Sequence, residues 1–101
     1  MLALLAALVL SIPSFISAPA SFAVKVRVTE PQAVQVAIVI DGDNYYRSSE
    51  QALSEGRSAY EFNFRDVPGG DYIVTVFVGD RSGKVLQRTS RELHVLSRFG
   101  Q

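Results

Sequence analysis

The chain has 101 residues with ten Lys and Arg, ten Asp and Glu, one His and a formal net charge of zero. Neutrality argues against nucleic acid or an anionic membrane as the main partner, and the absence of cysteine removes a disulfide frame, a thiolate metal site and a cysteine nucleophile. A chain this short has room for one small domain and excludes a two-domain enzyme.

All the charged residues lie from Lys25 onward, and the apolar excess is local to the N-terminus. Leu2 to Ile12 carries no charge and is followed by Pro13 and the small residues Ser17, Ala18, Pro19, Ala20 and Ser21, which reads as an export signal over residues 1–23. Two small-x-small cleavage sites are present, Ala18-Pro19-Ala20 and Ser21-Phe22-Ala23, and the second leaves Val24 at the start of a strand pattern. No Lys or Arg stands near Met1, so the alternatives are a true start upstream of Met1 or an uncleaved anchor, although Pro13 and Pro19 disfavour a spanning helix. The expected location is secreted or periplasmic, with membrane contact only through an uncleaved signal.

From Val24 the chain alternates. Val24, Val26 and Val28 share one face and Lys25, Arg27 and Thr29 the other, as in a half-buried strand. Glu30-Pro31-Gln32 interrupts the pattern, and Val34, Val36, Ile38 and Ile40 then line a second strand whose other face carries Gln35, Ala37 and Val39. Asp41-Gly42-Asp43-Asn44 has turn composition, and Tyr45-Tyr46-Arg47 fits a short return strand. Ser48 to Ser58 shows no strand signal and reads as a polar loop or a single helical turn ending at Gly56.

Tyr60, Phe62 and Phe64 alternate with Glu61, Asn63 and Arg65 in a third clear strand. After the turn Asp66 to Asp71, Tyr72, Val74, Val76 and Val78 face one way and Ile73, Thr75 and Phe77 the other, the strongest strand signal in the chain. Gly79 to Gly83 connects to a return path holding Val85, Leu86, Leu93, Val95 and Leu96, with polar Gln87 to Arg91 expected to bulge or bend between two pieces. Arg98 to Gln101 reads as a frayed tail. Short strands separated by turn clusters specify an all-β domain over residues 24–101, a small antiparallel sandwich of six to seven strands.

Val67-Pro68-Gly69-Gly70-Asp71-Tyr72-Ile73-Val74-Thr75-Val76, with Tyr60-Glu61-Phe62-Asn63-Phe64 before it, resembles the second half of a fibronectin type III or bacterial immunoglobulin-like domain. Carboxypeptidase-regulatory-like domains share a similar stretch, and the resemblance covers residues 24–96. The chain departs from these patterns in having no tryptophan in its early strands and no cysteine pair. Independently of family, Pro68 fixes φ, Gly69 and Gly70 allow a tight corner, and Tyr72 can bury its ring while its hydroxyl reaches back to a backbone group. The resemblance implies an interaction module or spacer, and leaves immunoglobulin-like and transthyretin-like strand orders both open.

No set of residues announces a reaction. His94 alternates with Leu93 and Val95 and reads as an exposed sheet residue, because one histidine without cysteines makes a poor zinc site. Ser48, Ser49, Ser54 and Ser58 stand in no nucleophile elbow. Gly69-Gly70-Asp71 lacks the lysine and helix of a phosphate loop, and a domain this small has little material for the cleft a glycosidase needs. Asp41, Asp43 and Asn44 with Asp80 would chelate calcium only if their two turns met at one end of the sandwich; turn chemistry explains the same residues. No cofactor is implied, and the expectation is a chain that is not an enzyme.

Ala37, Val39, Ile73 and Phe77 occupy outward positions, with Tyr45 and Tyr46 near them in sequence. They form an apolar patch if the strands of Val34–Ile40 and Tyr72–Val78 share a sheet; the fibronectin-like order is expected to separate them. An outer-face patch of this kind binds a protein partner or is covered by the Ser48–Ser58 loop or the tail. The expected function is binding of an envelope or extracellular protein, with Ile73 and Phe77 as contacts. The alternative is carbohydrate binding on Tyr45 and Tyr46, assisted by calcium at the neighbouring turn.

Overall fold

The computed structural model describes residues 8–11, 15–17 and 20–96. Eight strands run in chain order: β1 (Leu8–Ser11), β2 (Phe15–Ser17), β3 (Ala20–Val28), β4 (Gln35–Gly42), β5 (Tyr46–Ala52), β6 (Ala59–Val67), β7 (Gly70–Gly79) and β8 (Val85–Leu96). They build two sheets, one ordered β1-β3-β6 and the other β2-β8-β7-β4-β5. Six of these strands lie from Ala20 on. Neighbours are antiparallel except β2, which runs parallel to β8.

The core is the layer between the sheets. Val24, Val26 and Val28 of β3 and Tyr60, Phe62, Phe64 and Val67 of β6 meet Val36, Ile38 and Ile40 of β4, Tyr72, Val74, Val76 and Val78 of β7, and Leu93 and Val95 of β8. These are the period-two inward positions, each large side chain contributing about 1.5–3 kcal/mol on full burial. No polar or charged residue is buried among the described residues. The two sheets differ on their backs. The three-stranded sheet shows water Lys25 opposite Glu61, with Arg27 and Arg65 nearby, whereas the five-stranded sheet carries half-buried Ala37, Val39 and Phe77.

Four local expectations change. Strand β5 continues through Ala52, where a loop is expected: it is an edge strand exposed at almost every position, so no hydrophobic alternation marks it. Strand β8 is continuous from Val85 to Leu96, with its irregularity opposite Val78 and Gly79 rather than within Gln87–Arg91. Its inward positions Gln87 and Thr89 are half-buried and Arg91 is exposed, because the narrower facing sheet leaves this margin partly open. Strand β4 runs through Gly42, so the turn begins at Asp43. Lastly, β4 and β7 are hydrogen-bonded neighbours, with Ala37 opposite Phe77 and Val39 opposite Thr75, which reverses the expectation that they lie in different sheets.

The segment read as an export signal is only partly described. Residues 1–7, 12–14 and 18–19 lie outside the described residues, as does the tail at 97–101; β1 pairs with Lys25–Val28, and β3 begins at Ala20.

Candidate functional site

The outer face of the five-stranded sheet is set by register, since residues directly opposite each other in an antiparallel pair share a face. Across β8, β7, β4 and β5, one row reads Arg88, Phe77, Ala37, Glu50. The next reads Ser90, Thr75, Val39, Ser48, and the third Glu92, Ile73, Asp41, Tyr46. The two middle strands carry Phe77, Ile73, Ala37 and Val39 together with Thr75 and Asp41, and the flanking strands carry the charges of Arg88, Glu92 and Glu50. Ile73 is 46% exposed and Tyr46 64%, whereas Phe77, Val39 and Ala37 are half-buried. On the flanks Thr75 Oγ1 and Ser90 Oγ are 3.0 Å apart, and Gln35 Nε2 donates to Glu50 Oε1. The Ser48–Ser58 segment does not fold over the patch, because its first five residues are the edge strand of the same sheet.

Beyond Ile73 the face continues into a polar group. Asp71 stands opposite His94, its Oδ1 2.8 Å from His94 Nδ1, and Glu92 Oε1 lies 3.6 Å from His94 Nε2. The Asp71 hydrogen bond, reinforced by both carboxylates, raises the His94 pKa above its ordinary value against a smaller opposing effect of desolvation. Asp71, Tyr72, Ile73, Glu92 and His94 line a shallow recess of about 260 Å³. A second recess, lined by Asp43, Asn44, Pro68, Gly69, Gly70, Asp71 and Tyr72, has about 380 Å³.

The residues of the Pro-Gly corner act on the fold. The Tyr72 hydroxyl donates to the Pro68 carbonyl at 2.7 Å, its ring is buried, and Gly70 adopts φ 156. Burial, then the neighbouring Tyr45, push the Tyr72 pKa up, which keeps the hydroxyl a donor. Gly69 lies at the turn between β6 and β7.

Two proposed groupings are not brought together. Tyr45 and Tyr46 part company: Tyr46 sits on the outer face opposite Asp41, while Tyr45 packs on the core with its ring 5.8 Å from Tyr72 in an edge-on contact. A joint stacking platform for sugar therefore does not form. Asp80 is separated from Asp41 and Asp43 by the length of β4, since Gly79 lies opposite Gln35 and Ile73 opposite Asp41, six residues or about 20 Å apart. Asp80 Oδ1 instead accepts hydrogen bonds from Ser82 N, Ser82 Oγ and Lys84 N at 2.9, 2.8 and 3.0 Å, closing the β7–β8 turn. The calcium set fails because the turns stand at opposite ends of the sheet. Among the described residues no three His, Cys, Asp or Glu side chains converge as a metal site.

Sequence reasoning passed over Arg88, Glu92 and the Asp71–His94 pair. Only the register of β7 against β8 brings these residues beside Phe77 and Ile73, and no local pattern records it.

No family model matches the chain, and no curated protein matches it. Solved structures share the fold. A fibronectin(III)-like module structure of Clostridium thermocellum CbhA aligns with a TM-score of 0.59 at 15% identity, over 89% of this chain and 97% of that one. A superoxide reductase (neelaredoxin) from Ignicoccus hospitalis aligns with a TM-score of 0.64 at 13% identity, over 87% of this chain and 78% of that one. The second likeness corrects the expectation that this chain is not an enzyme: an enzyme is built on the same architecture, so neither sandwich nor size argues against catalysis. With the two-sheet all-β architecture and the likeness together, the chain has a fibronectin type III-like β-sandwich fold.

Proposed function

We propose that this chain is an exported β-sandwich module that binds a protein through the outer face of its five-stranded sheet. The observation that carries this reading is the pairing of β4 with β7, which gathers Ala37, Val39, Ile73 and Phe77 into one apolar stripe beside exposed Tyr46. An antiparallel sheet with one face on the core ordinarily shows water a polar back, as β3 and β6 do here. A cluster of exposed and half-buried apolar residues rimmed by charge has the make-up of a protein-binding surface. Export is supported by the uncharged run Leu2–Ile12 and the small residues after it.

The test is a crosslinking pull-down from the native cell envelope, with an Ile73→Asp/Phe77→Asp variant whose fold is verified by circular dichroism. Recovery of a protein by the native chain and its loss with the folded variant supports the reading. A capture profile identical for both chains removes this face from consideration.

A further inference from the structure

The outer face of the five-stranded sheet is complementary to itself. We propose that its occupant is a second copy of this chain, docked face to face about a two-fold axis that crosses the strands at the row Ser90, Thr75, Val39, Ser48. This rests on the reading of that face as a protein-binding surface.

Two residues from the central row on one side stand Phe77 and Arg88, direct cross-strand neighbours; two residues on the other side stand Ile73 and Glu92, also direct neighbours. A two-fold axis through the row exchanges the two pairs. Phe77 then meets Ile73 of the second copy and Arg88 meets Glu92 of the second copy, and every contact occurs twice because such an interface presents the same patch from both sides. Phe77 and Ile73 form an apolar contact and Arg88 and Glu92 a cation–anion contact, while on β4 the same operation sets the small Ala37 against Asp41 of the second copy. Arg88 and Glu92 are both exposed, so their side chains have room to reorient toward a facing sheet. At the β5 edge the same operation sets the Tyr46 hydroxyl, a donor, against the Glu50 carboxylate, an acceptor.

Packed sheets keep their strand directions within about 30° of each other, which long Arg and Glu side chains accommodate. An axis running along the strands is poorer, because it lays the large Ile73 on Asp41, where the proposed axis lays only the small Ala37 there and keeps Ile73 against Phe77. On the described side chains of β3 and β6, the back of the three-stranded sheet carries Lys25, Arg27, Glu61 and Arg65 and offers no such match. The four strands involved span about 14 Å at roughly 4.8 Å each. Such a face is smaller than a standard interface, which buries about 800 Å² per partner, so the association is weak and sensitive to concentration and salt.

The test is sedimentation equilibrium over a concentration series, using the chain as processed by its own cells, with R88E, E92R and the R88E/E92R double variant alongside. The expected result is a reversible monomer–dimer equilibrium whose dissociation constant rises about tenfold or more in each single variant, where like charges face each other. In the double variant it returns close to the native value, because Glu at 88 then faces Arg at 92. Only a symmetric contact predicts that return; a heterologous partner would be lost in all three variants. Dimerisation unchanged by the single swaps, or restored by R88E/E50R in place of R88E/E92R, overturns the proposed axis. A chain monomeric at every concentration overturns the proposal. If that monomer still captures an envelope protein through Ile73 and Phe77, the protein-binding reading stands without the dimer; if it captures none, both fall.

Discussion

The ring of Tyr72 lies across Gly42 on the neighbouring strand so closely that a Cβ added to Gly42 would stand 2.5 Å from Tyr72 Cδ1. Glycine is required there for space rather than for a turn conformation. Gly42→Ala is expected to destabilise the fold by about 1–3 kcal/mol through overpacking. Urea denaturation provides the measurement. The cost should shrink in a Tyr72→Ala background, where the obstructing ring is gone.

The Tyr72 hydroxyl bond to Pro68 ties the β6–β7 corner to the core. Tyr72→Phe keeps the ring and removes the donor, and it is expected to cost about 0.5–1.5 kcal/mol. Thermal unfolding of the two chains reads this directly, and equal midpoints would show that the hydroxyl bond contributes nothing net and that the ring's packing alone holds the corner.

How much of this was legible in the sequence depended on burial. The period-two runs of β3, β4, β6 and β7 placed their inward residues correctly, because each of those strands presents one face to the core. Strand β5 left no pattern, since Arg47, Ser48, Ser49 and Glu50 are exposed on both faces and nothing selects for apolar residues there. The central part of β8 was obscured for a related reason: Gln87, Thr89 and Arg91 occupy inward positions at a margin the smaller sheet covers incompletely. Which strands share a sheet is a non-local property. Ala37 and Phe77 were both recognisable as outward and apolar, yet only the pairing of strands 40 residues apart in sequence makes them neighbours. Arg88 and Glu92 carry the same lesson, for nothing around either residue indicates that it flanks that stripe.

The Asp71–His94 pair gives a signed dependence on pH. The His94 pKa is raised in the folded chain, first by the hydrogen bond to Asp71, so its contribution to stability is fully present below the unfolded value near 6.5 and is lost as pH rises through the folded value. Asp71→Asn should lower the His94 pKa and flatten that part of the stability profile. An NMR titration of the single imidazole measures the first effect, and an unaltered midpoint in the variant would remove Asp71 as its cause.

At the opposite end of the sheet Asp80 behaves in the reverse sense. Hydrogen bonds from the Ser82 side chain and the Lys84 backbone hold its carboxyl below the ordinary carboxylate value, so this stabilisation is present above about pH 4 and is lost as pH falls through the depressed value. Asp80→Ala is expected to lower stability at pH 7 and to change it much less at pH 3. Adding calcium should leave the melting midpoint of the native chain unchanged, because Asp80 and the Asp41–Asp43 turn are separated along β4.

The start of β3 gives the two candidate cuts of the proposed export signal different expected effects on stability. Ala20 is buried opposite Val67, and Phe22 stacks against Phe64 with ring centroids 5.7 Å apart. A cut after Ala23 strips both from the core, whereas a cut after Ala20 retains Phe22 and its pairing with Phe64. A chain beginning at Ser21 is therefore expected to exceed one beginning at Val24 by about 1–3 kcal/mol, the order of a partly buried aromatic with its ring contact. Intact mass of the protein from its own cells identifies where, if at all, the chain is cut, and urea denaturation of the two recombinant forms measures the difference. Equal stability would mean that the first residues of β3 contribute nothing to the sandwich.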